Sequence, residues 1–381
     1  MRISYLAFLF LFMVPSSASG QKTYSLADTV ITNRLIQESS DIIYAGNYIG
    51  NLNSDKNFDL GYNKIDSALL MGEQIWGQES KEVGQILGIK IDFLIFFYKK
   101  YDEALIIAEK ILAIRLKAFG EISTPTAYAY TNFANCYVGK MLTQKAIDAY
   151  KKEIEILEKI QPLDERRIAD ENCTIAGIYA KTDELVKTCF YYEKAEKSYA
   201  KILGETDPLT LHISIHLAKY YNDNFEYDKA SQKLNVMQQR IQKLSGTEKL
   251  QAELNVTMQH LNIAYNTGNL DKAFHYLTLI ENGRQQLNLG QNHLYSLYGY
   301  YYAEKGDFDK ALDYAYKNLD VALKQSYLFP KLEAYWALAE IYFLKEDYSN
   351  GLKYCQIGLD SSKSLTSKIC FLPTKLCYLI L

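Results

Sequence analysis

His212 and His216 stand four residues apart, the spacing at which two imidazoles share one face of a helix and can grip a transition-metal ion. No acidic residue completes an HExxH pattern around them, and His260, His275 and His293 are far along the chain, so a metal site is not expected. Ser198 and Lys201 have the SxxK spacing of an activated serine, but two residues match by chance in a chain of 381, and no companion motif follows. The sequence holds no phosphate-binding loop, dinucleotide fingerprint or GxSxG elbow. The six cysteines, Cys136, Cys173, Cys189, Cys355, Cys370 and Cys377, form no CxxC pair and no spacing typical of zinc. The first four fall in expected helices, where a thiol behaves as a small apolar group, and only Cys370 and Cys377 are placed for a local disulfide. These residues predict a chain that is not an enzyme and carries no cofactor.

What must position any working residue is a repeat. Small residues recur at Ala104, Ala146, Thr188, Ala230, Ala273, Ala311 and Gly351, in steps of 42, 42, 42, 43, 38 and 40. Three residues before each anchor stand Tyr101, Thr143, Leu185, Tyr227, Leu270, Phe308 and Tyr348. Nine before stand Ile95, Tyr137, Tyr179, Tyr221, Tyr302 and Tyr342, with Tyr265 displaced by one, as a shortened turn would cause. Twelve before come Asp92, Ala134, Ala176, Ala218, Leu261, Gly299 and Ala339, mostly small. Small residues on both helices of a hairpin let two backbones approach, and the aromatics fill the wedge where one hairpin meets the next. Glycines in Thr267-Gly268-Asn269 and Lys305-Gly306-Asp307 suit the left-handed turn between the two helices.

This order of small residue, tyrosine, glycine turn, aromatic and alanine resembles the tetratricopeptide repeat, with the clearest copy running from Tyr295 to Ala311. That family's usual repeat is near 34 residues. The longer period here, with connectors such as Phe119-Gly120-Glu121 and Leu203 to Pro208, is similar to arrays of the kinesin-light-chain type. Asp207 and Pro208 read as a helix cap and first helical residue. The resemblance implies an all-α, right-handed superhelical α-solenoid of antiparallel helix pairs. HEAT and armadillo repeats have a similar period but not this residue order.

The expected organisation is a signal peptide over residues 1–20, a degenerate hairpin over 21–84, an array of about seven helix pairs over 85–360, and an apolar tail over 361–381. Arg2, the apolar stretch Ile3 to Val14 and the small residues before Gly20 carry the secretory reading, and with it export. About a dozen apolar residues fall short of the ~20 that span a bilayer, and so does the interrupted stretch Ile369 to Leu381. The tail suggests a sequence that stops inside a further hairpin, or a stub folded back over the last repeat. Lys plus Arg (42) nearly balances Asp plus Glu (45), giving a net charge of −3, which leaves no positive field for nucleic acid.

In the resembling family the first helix of each hairpin lines the concave surface, along a stripe eighteen, fifteen, eleven and eight residues before the anchor. Here that stripe reads Tyr128, Thr131, Asn135 and Val138, then His212, Ile215, Lys219 and Asn222. Later hairpins supply His293, Ser296, Tyr300 and Ala303, then Glu333, Trp336, Glu340 and Phe343. Amides that bond a peptide backbone, beside aromatics that bury side chains, suit a peptide or protein partner. The expected contacts are Tyr128, Asn135, His212, Lys219, Asn222, Tyr300, Trp336 and Glu340. Some family members clamp an acidic C-terminal peptide with lysines and asparagines, an arrangement that Asn135 and Lys219 reproduce only in part. The resemblance also leaves open a sensor or regulatory region of a larger or truncated bacterial protein, ahead of a CHAT-type peptidase or a signalling kinase. No residue matches either effector.

Overall fold

The computed structural model describes residues 26–48, 54–290 and 292–362. The N-terminal leader expected over 1–20 and the C-terminal stretch from 363 onward lie outside the described residues. Within them the chain forms sixteen α-helices and no strand, and none of these helices is long and apolar enough to cross a membrane. The helices divide into two compact units that meet between Asp164 and Glu165.

The first unit holds α1 (Leu26–Tyr48) packed on α2 (Ser54–Trp76), then α3 (Lys81–Asp92) on α4 (Tyr101–Phe119) and α5 (Thr124–Gly139) on α6 (Thr143–Leu157). The second holds α7 (Glu165–Lys181) with α8 (Leu185–Leu203), α9 (Pro208–Asp223) with α10 (Tyr227–Ile241), and α11 (Gly246–Asn266) with α12 (Leu270–Gln286). It continues with α13 (Asn292–Glu304) on α14 (Phe308–Leu323) and α15 (Leu328–Leu344) on α16 (Tyr348–Ser362). In this unit α9 also touches α11, and α13 touches α15, so first helices lie beside first helices and form a layer.

All seven small anchors are buried, from Ala104 to Gly351. Each lies on the second helix of its hairpin, three residues after the helix begins. At Gly351 the close approach is strict, because an added β-carbon would lie 2.7 Å from the Phe343 ring. Gly139 is tighter still, at 2.1 Å from the ring of Tyr101 in the preceding hairpin.

Each of the seven turns that lead to an anchor places a left-handed residue five positions before it. Only Gly268 and Gly306 are glycines; the others are Lys99, Met141, Asp183, Phe225 and Glu346, with φ between 53° and 63°. The next residue's N–H returns to the carbonyl nine before the anchor, as in Glu226 to Tyr221, Asp307 to Tyr302 and Asp347 to Tyr342. This is the six-to-one bond that closes a Schellman turn. The tyrosine register therefore serves twice: the carbonyl closes the turn while the ring fills the seam.

That ring is stacked or covered by a lysine, and at Tyr179 and Tyr302 it is both. Tyr302 stacks on Tyr314 at 5.6 Å with planes 8° apart, Tyr342 on Tyr354 at 5.7 Å, and Tyr179 on Tyr191 at 5.6 Å. The lysine just before the anchor lies over the same tyrosine: Lys187 over Tyr179 at 5.0 Å, Lys310 over Tyr302 at 5.1 Å, Lys229 over Tyr221 at 5.5 Å.

Two details of the sequence frame are corrected. Phe93–Phe97 forms a π-helical turn, and Lys100 N–H returns to Leu94 rather than Ile95. The extra residue shifts the frame by one, so fully buried Ile91 takes the small-residue place and Asp92 moves onto the stripe. In the α11–α12 hairpin the turn is not shortened: Asn269 N–H reaches Ala264 in the ordinary pattern. Ala264 holds the seam there, and Tyr265 is a stripe residue.

Helix ends follow local chemistry. Asp207 accepts a hydrogen bond from Leu209 N–H with Pro208 as first helical residue, and Gly120 and Gly204, at φ 77° and 95°, end α4 and α8. Cys136 and Cys189 are buried and Cys173 partly so, and burial pushes all three thiols up to about 12.

Candidate functional site

In the first unit, Tyr128 and Asn135 are half-buried on α5 and engaged within their own unit. The Tyr128 hydroxyl donates to Asp164 Oδ2 at 3.0 Å, and Asn135 Oδ1 accepts from the Tyr150 hydroxyl at 2.7 Å. Thr131, between them on the stripe, donates to the buried Glu153 carboxylate at 2.7 Å.

The second unit gathers more of the stripe. A cavity of about 430 Å³ opens against α9, α11 and the junction of α12 with α13, bounded by His212, Asn255, Met258, Arg284, Leu289 and His293. His212, Asn255 and His293 hold the same stripe position, eighteen before the anchor, in three consecutive hairpins. Ile215 and Met258 hold the position fifteen before. The stripe of the α11 hairpin is thus as much part of the site as its neighbours, and the same spacing points to it. Arg284 belongs to a second helix, where the stripe gives no signal.

On α9 the Nε2 atoms of His212 and His216 lie 3.1 Å apart. His216 is also stacked against Tyr192 and Tyr220, and burial, with His212 and Lys219 nearby, holds its imidazole below the ordinary range. Burial and the Arg284 charge lower His293 in the same way. Among the described residues no three His, Cys, Asp or Glu side chains group as a metal site.

Lys219 is exposed, paired with Asp223 at 2.6 Å and lying over the Tyr220 ring. Asn222 differs from the rest of the stripe: it is 4% exposed, and its Oδ1 has no hydrogen-bond partner. It offers no surface to a partner. Further along, Tyr300 donates to Glu340 Oε1 at 2.7 Å, and its ring meets Tyr265 edge-on at 6.1 Å. Tyr265 in turn donates to the Leu297 carbonyl at 3.2 Å. First helices α11, α13 and α15 are thereby joined through stripe residues. Trp336 is half-buried and turned towards α16, where an added β-carbon at Gly358 would lie 3.4 Å from its indole nitrogen.

The same arrangement of helices is found in the apo form of RapI, at a TM-score of 0.58 over 89% of this chain and 87% of that one, with 14% identity. The fold is that of a TPR-like helical array. Aspartyl phosphate phosphatase F from Bacillus subtilis matches over 91% of this chain and 97% of its own at TM-score 0.49 and 12% identity. Kinesin light chain TPR-like repeats from Podosopora anserina match over 58% of this chain and 98% of their own, at TM-score 0.46 and 13% identity. At these identities the likeness to RapI speaks for the fold alone, and the two lower scores carry no argument. No family model matches the sequence, and no curated protein is similar to it.

Proposed function

We propose that the chain is a non-catalytic interaction scaffold that receives a peptide, or an extended segment of a partner protein, along the first-helix stripe of residues 165–362. The observation that carries this reading is the cavity shared by His212, Asn255 and His293, one stripe position repeated over three hairpins. Amides on its walls can bond a peptide backbone, and Ile215, Leu254 and Met258 can bury a side chain. The tyrosine and glutamate chain from Tyr265 to Glu340 extends the same face. The leader-like N-terminus supports export, so the partner belongs in the exported fraction.

The test is a photocrosslinking amino acid at Asn255, compared with one at Leu279, an exposed residue of α12 outside the cavity. Adducts with a discrete partner from Asn255 alone support the groove. Equal labelling from both positions, or none from Asn255, overturns it.

A further inference from the structure

The cavity between α9, α11 and α12 is lined without a single carboxylate, in a chain where acidic residues outnumber basic ones by 45 to 42. Its polar wall consists of donors or neutral groups: Arg284, three histidines and the amides of Gln251, Asn255 and Gln259. Arg284 is fixed from behind, because one terminal nitrogen donates to the Gly290 carbonyl, while its Nε is shielded from solvent and has no acceptor. A guanidinium so placed has lost water without gaining a full set of partners, a cost that an arriving anion offsets. Burial lowers Arg284 from its ordinary range, in keeping with that deficit. His212 and His216 hold their Nε2 atoms 3.1 Å apart, so one ring spends its N–H on the other, and the accepting ring keeps one N–H for a further acceptor.

We propose that this cavity selects an internal acidic side chain of the bound peptide, next to an apolar one. Arg284 and His293 take the carboxylate, with the His212–His216 pair as one further donor. Leu254, Met258 and Leu289 take the adjoining apolar side chain. About 430 Å³ has room for two such side chains. The inference rests on the groove reading and adds a selectivity that the groove alone does not require.

The test uses two pools of labelled octapeptides, acetylated and C-terminally amidated so that no terminal carboxylate is present. One pool fixes Leu-Glu at its centre and the other Leu-Gln, with the remaining positions degenerate. The full chain is expected to retain the Leu-Glu pool at least about fivefold better, an energy near 1 kcal/mol by the usual conversion of affinity ratios. Arg284→Gln and His293→Gln should each reduce that preference towards unity, and the helical circular-dichroism signal and thermal midpoint of each variant report whether it is folded. Should Arg284→Gln unfold, the exposed His212→Gln, expected to weaken the preference about twofold, provides the same readout. Equal retention of both pools by the unmodified chain overturns the acid selectivity and leaves the groove standing. Retention of neither overturns both. A preference that survives in all three variants places the selectivity elsewhere and overturns the assignment.

Discussion

The Tyr300 hydroxyl and the Glu340 carboxylate, 40 residues apart, meet at 2.7 Å and tie α13 to α15 on the face that the first helices share. Burial, and then Glu340 itself, raises the Tyr300 phenol above its ordinary range, so this bond is made by the neutral hydroxyl throughout the physiological span. Tyr300→Phe should cost about 1.5–3 kcal/mol, the range for a hydrogen bond to a charged acceptor. Glu340→Gln keeps an acceptor and should cost less. Urea midpoints of the two single variants and the double variant check this, and additive losses would show that the pair is not coupled.

Phe225 occupies the left-handed turn position with its side chain 79% exposed. The strain of that conformation is about 1 kcal/mol for a residue with a β-carbon. Phe225→Gly should therefore stabilise the chain by up to about 1 kcal/mol, less whatever the edge-on contact with Tyr227 contributes. Gly306→Ala, at the equivalent place, should destabilise by a similar amount. Thermal unfolding of the two variants with opposite signs is the expected result.

Gly139→Ala puts a β-carbon 2.1 Å from the Tyr101 ring. Overpacking of this kind costs about 1–3 kcal/mol. Tyr101→Leu should relieve most of it, so the double variant should be more stable than Gly139→Ala alone by denaturant titration.

Asp92 is pushed up to about 7 by burial, which the nearby Arg115 only partly offsets. Its unfolded value is near 3.8. Between those values the folded chain holds a proton that the unfolded chain has released, so the contribution of Asp92 to stability falls as pH rises from about 4 to 7 and is flat above. Asp92→Asn should remove that slope and be more stable than the unmodified chain above pH 7. The difference in unfolding free energy between the two proteins, followed from pH 4 to 8, measures it directly.

The anchors and the seam tyrosines were legible because a fixed small residue leaves the same mark in every hairpin. Five of the left-handed turn positions were not, since Lys99, Met141, Phe225 and Glu346 have no intrinsic preference for that conformation and Asp183 only a modest one, and all are held there by the helices on either side. The lysines over Tyr137, Tyr179, Tyr221 and Tyr302 share the period, and could have been read from it. Arg284 could not: it enters the cavity from a second helix, and no spacing within one helix reports which side chain a neighbouring element delivers. Tyr265 was misplaced because a tyrosine one position from the seam looks like a displaced seam residue until its carbonyl neighbours are known. For the candidate site, the stripe was legible as a line of positions, whereas the burial of Asn222 and the turning of Trp336 depend on how tightly adjacent hairpins close.

The π-helical turn at Phe93–Phe97 accommodates one residue more than an α-helix would. Deleting a single residue there, such as the half-exposed Phe96, would rewind the segment and rotate α3 by about 100° against its own second helix, since one residue is that fraction of a helical turn. The wide turn is thus a phase adjuster: it lets the hairpin at the start of the array carry a surplus residue while Ile91 still faces inward and the six hairpins that follow keep their common beat.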